Sequence, residues 1–189
     1  MSVEALMEPA AMRRLAELAA AVPADLAIVE VGTYQAANLV SMALAAKAGQ
    51  GAKVHGVDPY GTGDVYRGRR HMLARYTHAD LDIARDHIKA NRCSRQARIH
   101  VGTSTAVAAE WTGPQVDLLV IDGEHRYRSV MADWAAWSPH LAEDAIVAFD
   151  DYGGRVGEQV IRAVTDLEER GALTVVEHVG TRMAITMRS

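Results

Sequence analysis

Cysteine is nearly absent from this chain of 189 residues: Cys93 is the only one. A single thiol excludes an internal disulfide and a cysteine-based zinc cluster, and its place near a helix end makes it an ordinary packing residue. An excess of basic charge is also lacking. Lys and Arg number 20 against 24 Asp and Glu, for a net charge of −4, which argues against a broad nucleic-acid surface. No apolar run approaches the length of a membrane span. Glu4, Glu8, Arg13 and Arg14 interrupt any signal-type apolar stretch near the start, so a cytoplasmic protein without a membrane is expected. Internal repeats, low-complexity tracts and linkers are missing as well. The length suits one domain over residues 1–189.

What is present is a set of short apolar runs that end in acids. The clearest is Val116–Ile121, followed by Asp122-Gly123-Glu124-His125. A run with no alternation reads as a strand buried on both faces of a parallel sheet. Its carboxyl end faces the crevice where open α/β sheets bind ligands. Ala27–Val31 carries Glu30 and leads into Gly32; Lys53–Asp58 ends in Asp58; Ala145–Phe149 ends in Asp150-Asp151. Arg98–Val101 is a short further strand, closed by Gly102-Thr103-Ser104.

Helical spacing covers 3–22, 34–49, 79–91, 124–138 and 156–170. In the fourth of these, Tyr127, Val130, Met131, Trp134 and Trp137 form one stripe, which suits a core better than a ligand platform. Strand, helix, strand in this order is a parallel crossover unit. Pro139 and Glu143-Asp144 read as the turn into the fifth strand. Residues 59–78 show no clear period and gather Arg67, Arg69, Arg70 and Arg75; such a stretch suits a lid or binding loop. The last two runs, Leu173–Val179 and Met183–Met187, are separated only by Gly180-Thr181-Arg182. That gap is too short for a parallel crossover, so the pair is an antiparallel hairpin.

Glu30 and Gly32 at the first strand-to-helix turn, with Asp58 ending the second strand, suit a nucleotide whose ribose meets Asp58. The run Gly32-Thr33-Tyr34-Gln35-Ala36-Ala37 lacks the glycine set that cradles a pyrophosphate, which speaks against NAD. Asp122, Asp150 and Asp151 project from neighbouring strand ends. Carboxylates so placed repel one another unless a cation lies between them, and hard cations such as Mg²⁺ prefer oxygen donors. The alternative is that these aspartates merely cap loops or helices.

The reversed last strand, the acidic first motif and the ribose acid resemble the class I S-adenosylmethionine-dependent methyltransferases. That resemblance implies a doubly wound, Rossmann-like α/β fold with a seven-stranded sheet in the order 3-2-1-4-5-7-6, its last strand antiparallel. The run Ile121-Asp122-Gly123-x-His125-x-Tyr127 and the Asp150-Asp151 pair resemble the metal-dependent O-methyltransferases of the catechol and sugar-directed types. From these the resemblance implies Mg²⁺ or another divalent cation on Asp122, Asp150 and Asp151, with His125 as general base. It implies S-adenosylmethionine contacts from Glu30, Gly32, Tyr34, Asn38, Asp58, Ser104 and Asp122. Asn38 is matched to the methionine carboxylate and Ser104 to the adenine. Ala36 and Ala37 stand where many relatives have a glycine. Gly123 is expected to make the turn that brings Asp122 and His125 to one crevice, and Glu124 to be a helix N-terminal charge. The implied substrate is a small hydroxylated metabolite, a sugar diol or a catechol, and a homo-oligomer is left open. Two other classes compete: a nicotinamide-dependent oxidoreductase, and a non-catalytic partner subunit of the same fold.

Overall fold

The computed structural model describes residues 5–61, 78–154 and 157–189. Seven strands form one sheet: β1 (Ala27–Val31), β2 (Lys53–Asp58), β3 (Ala97–Val101), β4 (Val116–Ile121), β5 (Leu141–Phe149), β6 (Leu173–Val179) and β7 (Met183–Arg188). Their order is β3-β2-β1-β4-β5-β7-β6. The five strands from β3 to β5 are mutually parallel, and β7 runs antiparallel to both β5 and β6. This is the order and the reversal expected above.

Among the described residues, six α-helices flank the sheet: α1 (Pro9–Ala21), α2 (Ala37–Ala48), α3 (His78–Ala90), α4 (Ser104–Ala109), α5 (Tyr127–Trp137) and α6 (Glu158–Glu169). Alternate residues of a strand face opposite sides, so the core divides in two. Ile28, Val54, Leu118 and Val120 pack against α1, α2 and α3, around Leu15, Leu39, Met42 and Ile88. Val29, Val31, Leu119, Ile121 and Phe149 pack on the other face against α4, α5 and α6, around Val130, Trp137, Val160 and Leu167. All five residues of β1 are buried, as its unalternating pattern requires. Trp137 is fully buried, while Tyr127, Met131 and Trp134 are half-buried against the same cluster.

Several boundaries differ from the expectations. The second helix starts at Ala37, not Tyr34, because Tyr34 and Ala36 take left-handed conformations, φ 46° and 63°. A helix cannot begin until φ returns to the right-handed region. The fourth helix starts at Tyr127, after Arg126 in extended conformation. Glu124 therefore lies outside it, taking the Ser129 hydroxyl at 2.8 Å and the Arg126 guanidinium at 3.2 Å. β5 starts at Leu141, and Glu143-Asp144 fall within it, where Asp144 has φ 59° and the pairing with β4 shifts register. The six-residue α4 had no periodic signal. Most of the proposed 59–78 lid lies outside the described residues. Cys93 is buried, its thiol on the Ile88 carbonyl at 3.4 Å. Among the described residues, no helix is long and apolar enough to cross a membrane.

Candidate active site

The parallel strands bring Glu30, Asp58, Asp122, Asp150 and Asp151 to one edge of the sheet. β1 lies between β2 and β4, and β5 follows β4, so the two halves of the edge adjoin. The join is tight. The Gly32 N–H donates to the Val57 carbonyl at 2.9 Å and the Asp122 N–H to Val31 at 2.8 Å. Gly32 has φ 92°, and a Cβ there would overlap the Asp122 carbonyl. Only glycine combines that backbone with that approach. Gly123 has no positive φ, so the turn after Asp122 does not need it for conformation. Its hydrogen is favoured by space instead: a Cβ would stand 3.3 Å from Val31 Cγ1.

In the first half, Glu30 is 1% exposed, and Asn38 Nδ2 donates to its Oε1 at 2.7 Å. Burial, and then the charges of Asp122, Asp58 and Asp150, push the Glu30 carboxyl well above its usual range, against the Asn38 hydrogen bond. Asp58 accepts the Tyr34 N–H on Oδ2 at 3.0 Å and the Tyr60 N–H on Oδ1 at 2.8 Å. Burial raises its pKa against these backbone donors. The Tyr60 hydroxyl donates to the Tyr34 carbonyl at 2.7 Å, and Gln35 Nε2 donates to Asp80 at 2.9 Å. Glu30 Oε2, Thr33 Oγ1 and Asn38 Oδ1 are buried without a partner among the described residues. Unanswered buried polar atoms are costly, so this half is suited to a ligand that donates hydrogen bonds or carries positive charge.

Ser104, matched to the adenine by resemblance, has its side chain engaged within the protein. Its hydroxyl accepts from Trp137 Nε1 at 3.0 Å and bonds the Asp133 carboxyl, so α5 holds it. Asp133 is pushed up to about 6, by burial above all.

In the second half, the Asp150 and Asp122 carboxyls lie within reach of each other, and burial with the charge of Asp122 pushes Asp150 up to about 8. Burial also raises Asp122. Asp150 is buried and Asp122 half-buried, and two carboxyls so close hinder each other's ionisation. His125 Nδ1 lies 2.7 Å from Asp151 Oδ2, while its Nε2 lies 3.8 Å from Asp122 Oδ1 and is buried without a hydrogen-bond partner. Asp151, at φ 54°, forms an ion pair with Arg182 through its other oxygen. The pairing fixes the histidine: a carboxylate on Nδ1–H leaves the lone pair on Nε2.

The donor set fits a hard divalent cation chemically, since three carboxylates end adjacent strands and oxygen donors are what such a cation prefers. Asp151 is engaged elsewhere, and among the described residues no three acidic, cysteine or histidine side chains form a ready metal shell. Arg182, Tyr60, Asp80 and Asp133 were not anticipated. An open groove of about 600 Å³ lined by Lys53, His55, Arg98, His100 and Trp111 runs along β2 and β3, away from the acids. The chemistry at the strand ends, rather than the size of that groove, marks the site.

The methyltransferase-domain family Methyltransf_24 matches residues 29–152, from within β1 to just past Asp151. The chain belongs to this family. It is thus an enzyme, a methyltransferase, and the match spans the site from Glu30 to Asp151. Solved structures agree in fold. The methyltransferase resembles cofactor-bound Rv0187 from MTB, with 16% identity, 98% of this chain and 83% of that one covered, and a TM-score of 0.74. It resembles the O-methyltransferase TomG from Streptomyces achromogenes, involved in tomaymycin synthesis and solved with SAM, at 14% identity, 98% and 82% coverage and TM-score 0.69. An O-methyltransferase from Bacillus cereus in complex with SAH gives 12%, 97%, 82% and 0.68. Among curated proteins, none matches the sequence.

Proposed function

We propose that this methyltransferase moves a methyl group from S-adenosylmethionine to a hydroxyl of a small polyhydroxylated metabolite, a sugar diol or a catechol, with the aid of a divalent cation such as Mg²⁺. The observation that carries the reading is the His125–Asp151 pair, whose buried Nε2 lies beside Asp122 at the strand ends. The donor follows from the first half of the cleft and from the SAM and SAH bound by TomG and the Bacillus cereus enzyme. S-adenosylmethionine, when bound, supplies an electrophilic methyl on a cationic sulfur. Glu30 and Asp58 offer acceptor oxygens to the ammonium and hydroxyl groups of that donor.

Asn38 gives one of its two Nδ2 hydrogens to Glu30. Its Oδ1 and Glu30 Oε2 remain acceptors, which suits the ammonium of the methionine part rather than the carboxylate expected from sequence. Asp58, though braced by backbone N–H groups, keeps acceptor capacity for a ribose hydroxyl. Gly32 and Tyr34 lie in the loop that Asp58 braces. With the Ser104 hydroxyl held by α5, an adenine contact there would use its backbone. Asp122, Asp150 and Asp151 would hold the cation, which supplies positive charge that favours ionisation of a nearby hydroxyl. His125 takes the hydroxyl proton at Nε2, and Asp151 keeps the ring in the right tautomer and stabilises the imidazolium. The substrate oxygen then forms its bond to the methyl carbon as the sulfur–carbon bond breaks.

The test is transfer from labelled S-adenosylmethionine to a panel of catechols and sugar diols, before and after EDTA. We expect metal removal to abolish transfer and Mg²⁺ to restore it. Full activity after thorough chelation would sink the metal assignment. Calorimetry showing NAD binding in preference to S-adenosylmethionine would sink the donor.

A further inference from the structure

The turn between β6 and β7, read from sequence as a mere connector, delivers a cation to the acidic cluster. Arg182 pairs through Nη2 with Asp151 Oδ1. The Asp151 side chain is 6% exposed and that of Arg182 39%. The arginine's charge also lowers the pKa of both Asp122 and Asp150, so its field covers all three acids. The turn is well fixed. The Tyr152 N–H donates to the Arg182 carbonyl at 2.7 Å, and Gly153 lies so close to the Thr181 carbonyl that a Cβ would collide with it. Glu8 accepts from the Thr181 N–H at 3.0 Å and from its hydroxyl at 2.5 Å.

Asp151 Oδ1 cannot face a guanidinium and a bare divalent ion at once, and the two cations repel. Arg182 has an exposed side to withdraw into; Asp151 has none. We propose that Arg182 is a resident counter-cation that competes with the divalent ion for Asp151, so that the ion enters only as the guanidinium leaves. This rests on the reading that the three acids take a divalent cation. Arg182 thereby weakens the site for free ions and keeps Asp151 against His125 until one arrives.

The experiment is a Mn²⁺ titration of the full chain followed by electron paramagnetic resonance, on the wild type, Arg182→Gln and Arg182→Lys, with calorimetry of S-adenosylmethionine in parallel. Arg182→Gln is expected to bind Mn²⁺ about tenfold tighter, the effect of removing one partly screened neighbouring charge. Arg182→Lys is expected to bind about threefold tighter, since an ammonium is better hydrated and loses the planar fork. Cofactor affinity should stay within about twofold of wild type in both. Mn²⁺ affinity unchanged by Arg182→Gln overturns the competition and leaves the metal site standing. Should that variant not fold, unchanged affinity in Arg182→Lys overturns it equally. Absence of Mn²⁺ binding in all three proteins overturns the metal reading, and the competition with it.

Discussion

The two halves of the cleft treat their acids differently. At the ends of β1 and β2, Asp58 is held by the N–H groups of Tyr34 and Tyr60, and Glu30 by the amide of Asn38. At the ends of β4 and β5, the acids are held by each other, by a histidine and by an arginine. Backbone donors cannot turn away without moving the chain. Side-chain donors can, at the cost of a rotamer. The Asp58 side of the first half is therefore fixed by the chain itself, in a strained loop with left-handed Tyr34 and Ala36, the kind of strain that marks functional sites. The second half, held by side chains, can exchange partners without moving the chain.

The sharpest way to break this contrast is His125→Ala. If only the second half does chemistry, turnover should fall by about 10²- to 10⁴-fold, while S-adenosylmethionine affinity by calorimetry stays within about twofold. Equal loss of both would make the histidine a structural part of the cleft. Next comes the seam. Gly32→Ala places a methyl on the Asp122 carbonyl at a left-handed φ and should cost about 3 kcal/mol in urea unfolding. A loss below about 0.5 kcal/mol, the scatter of an ordinary surface change, would mean the halves are not rigidly joined.

The smallest effect concerns Asp133, which holds Ser104 beside the second half. Its carboxyl ionises near 4 in the unfolded chain and at about 6 when folded. Between those values the native state carries the extra proton. Stability should therefore fall as pH rises through this window, by up to about 1.4 kcal/mol per pH unit. Asp133→Asn should flatten that part of the profile in denaturant melts at pH 4 and pH 6. An unchanged profile would remove Asp133 from the groups that make the site's surroundings pH-sensitive.

Much of the fold was legible because its strands are buried on both faces and end in acids. The apolar runs of β1, β2 and β4 needed no tertiary information, and the three-residue gap at 180–182 forced the reversal of β7. Helix starts were misjudged by three residues at α2 and α5, since left-handed Tyr34 and Ala36 and extended Arg126 leave no mark in an apolar period. That the strand-end acids and His125 come together could be read because local strand ends place them. Arg182 could not. It meets Asp151 only through the pairing of β5 with β7, and no local pattern distinguishes that arginine from any other in a turn. The bond from the Asn38 amide to Glu30 was likewise not legible, because sequence position does not say which way an amide faces.

Glu8 stands just before α1, yet its carboxylate does not cap its own helix; it binds Thr181 instead. The opening of the chain thus clamps the same turn that carries Arg182. Protein engineering at the amino end is consequently active-site engineering: trimming to Pro9, or a rigid fusion that pulls Glu8 away, would release the hairpin tip and let the arginine drift from Asp151.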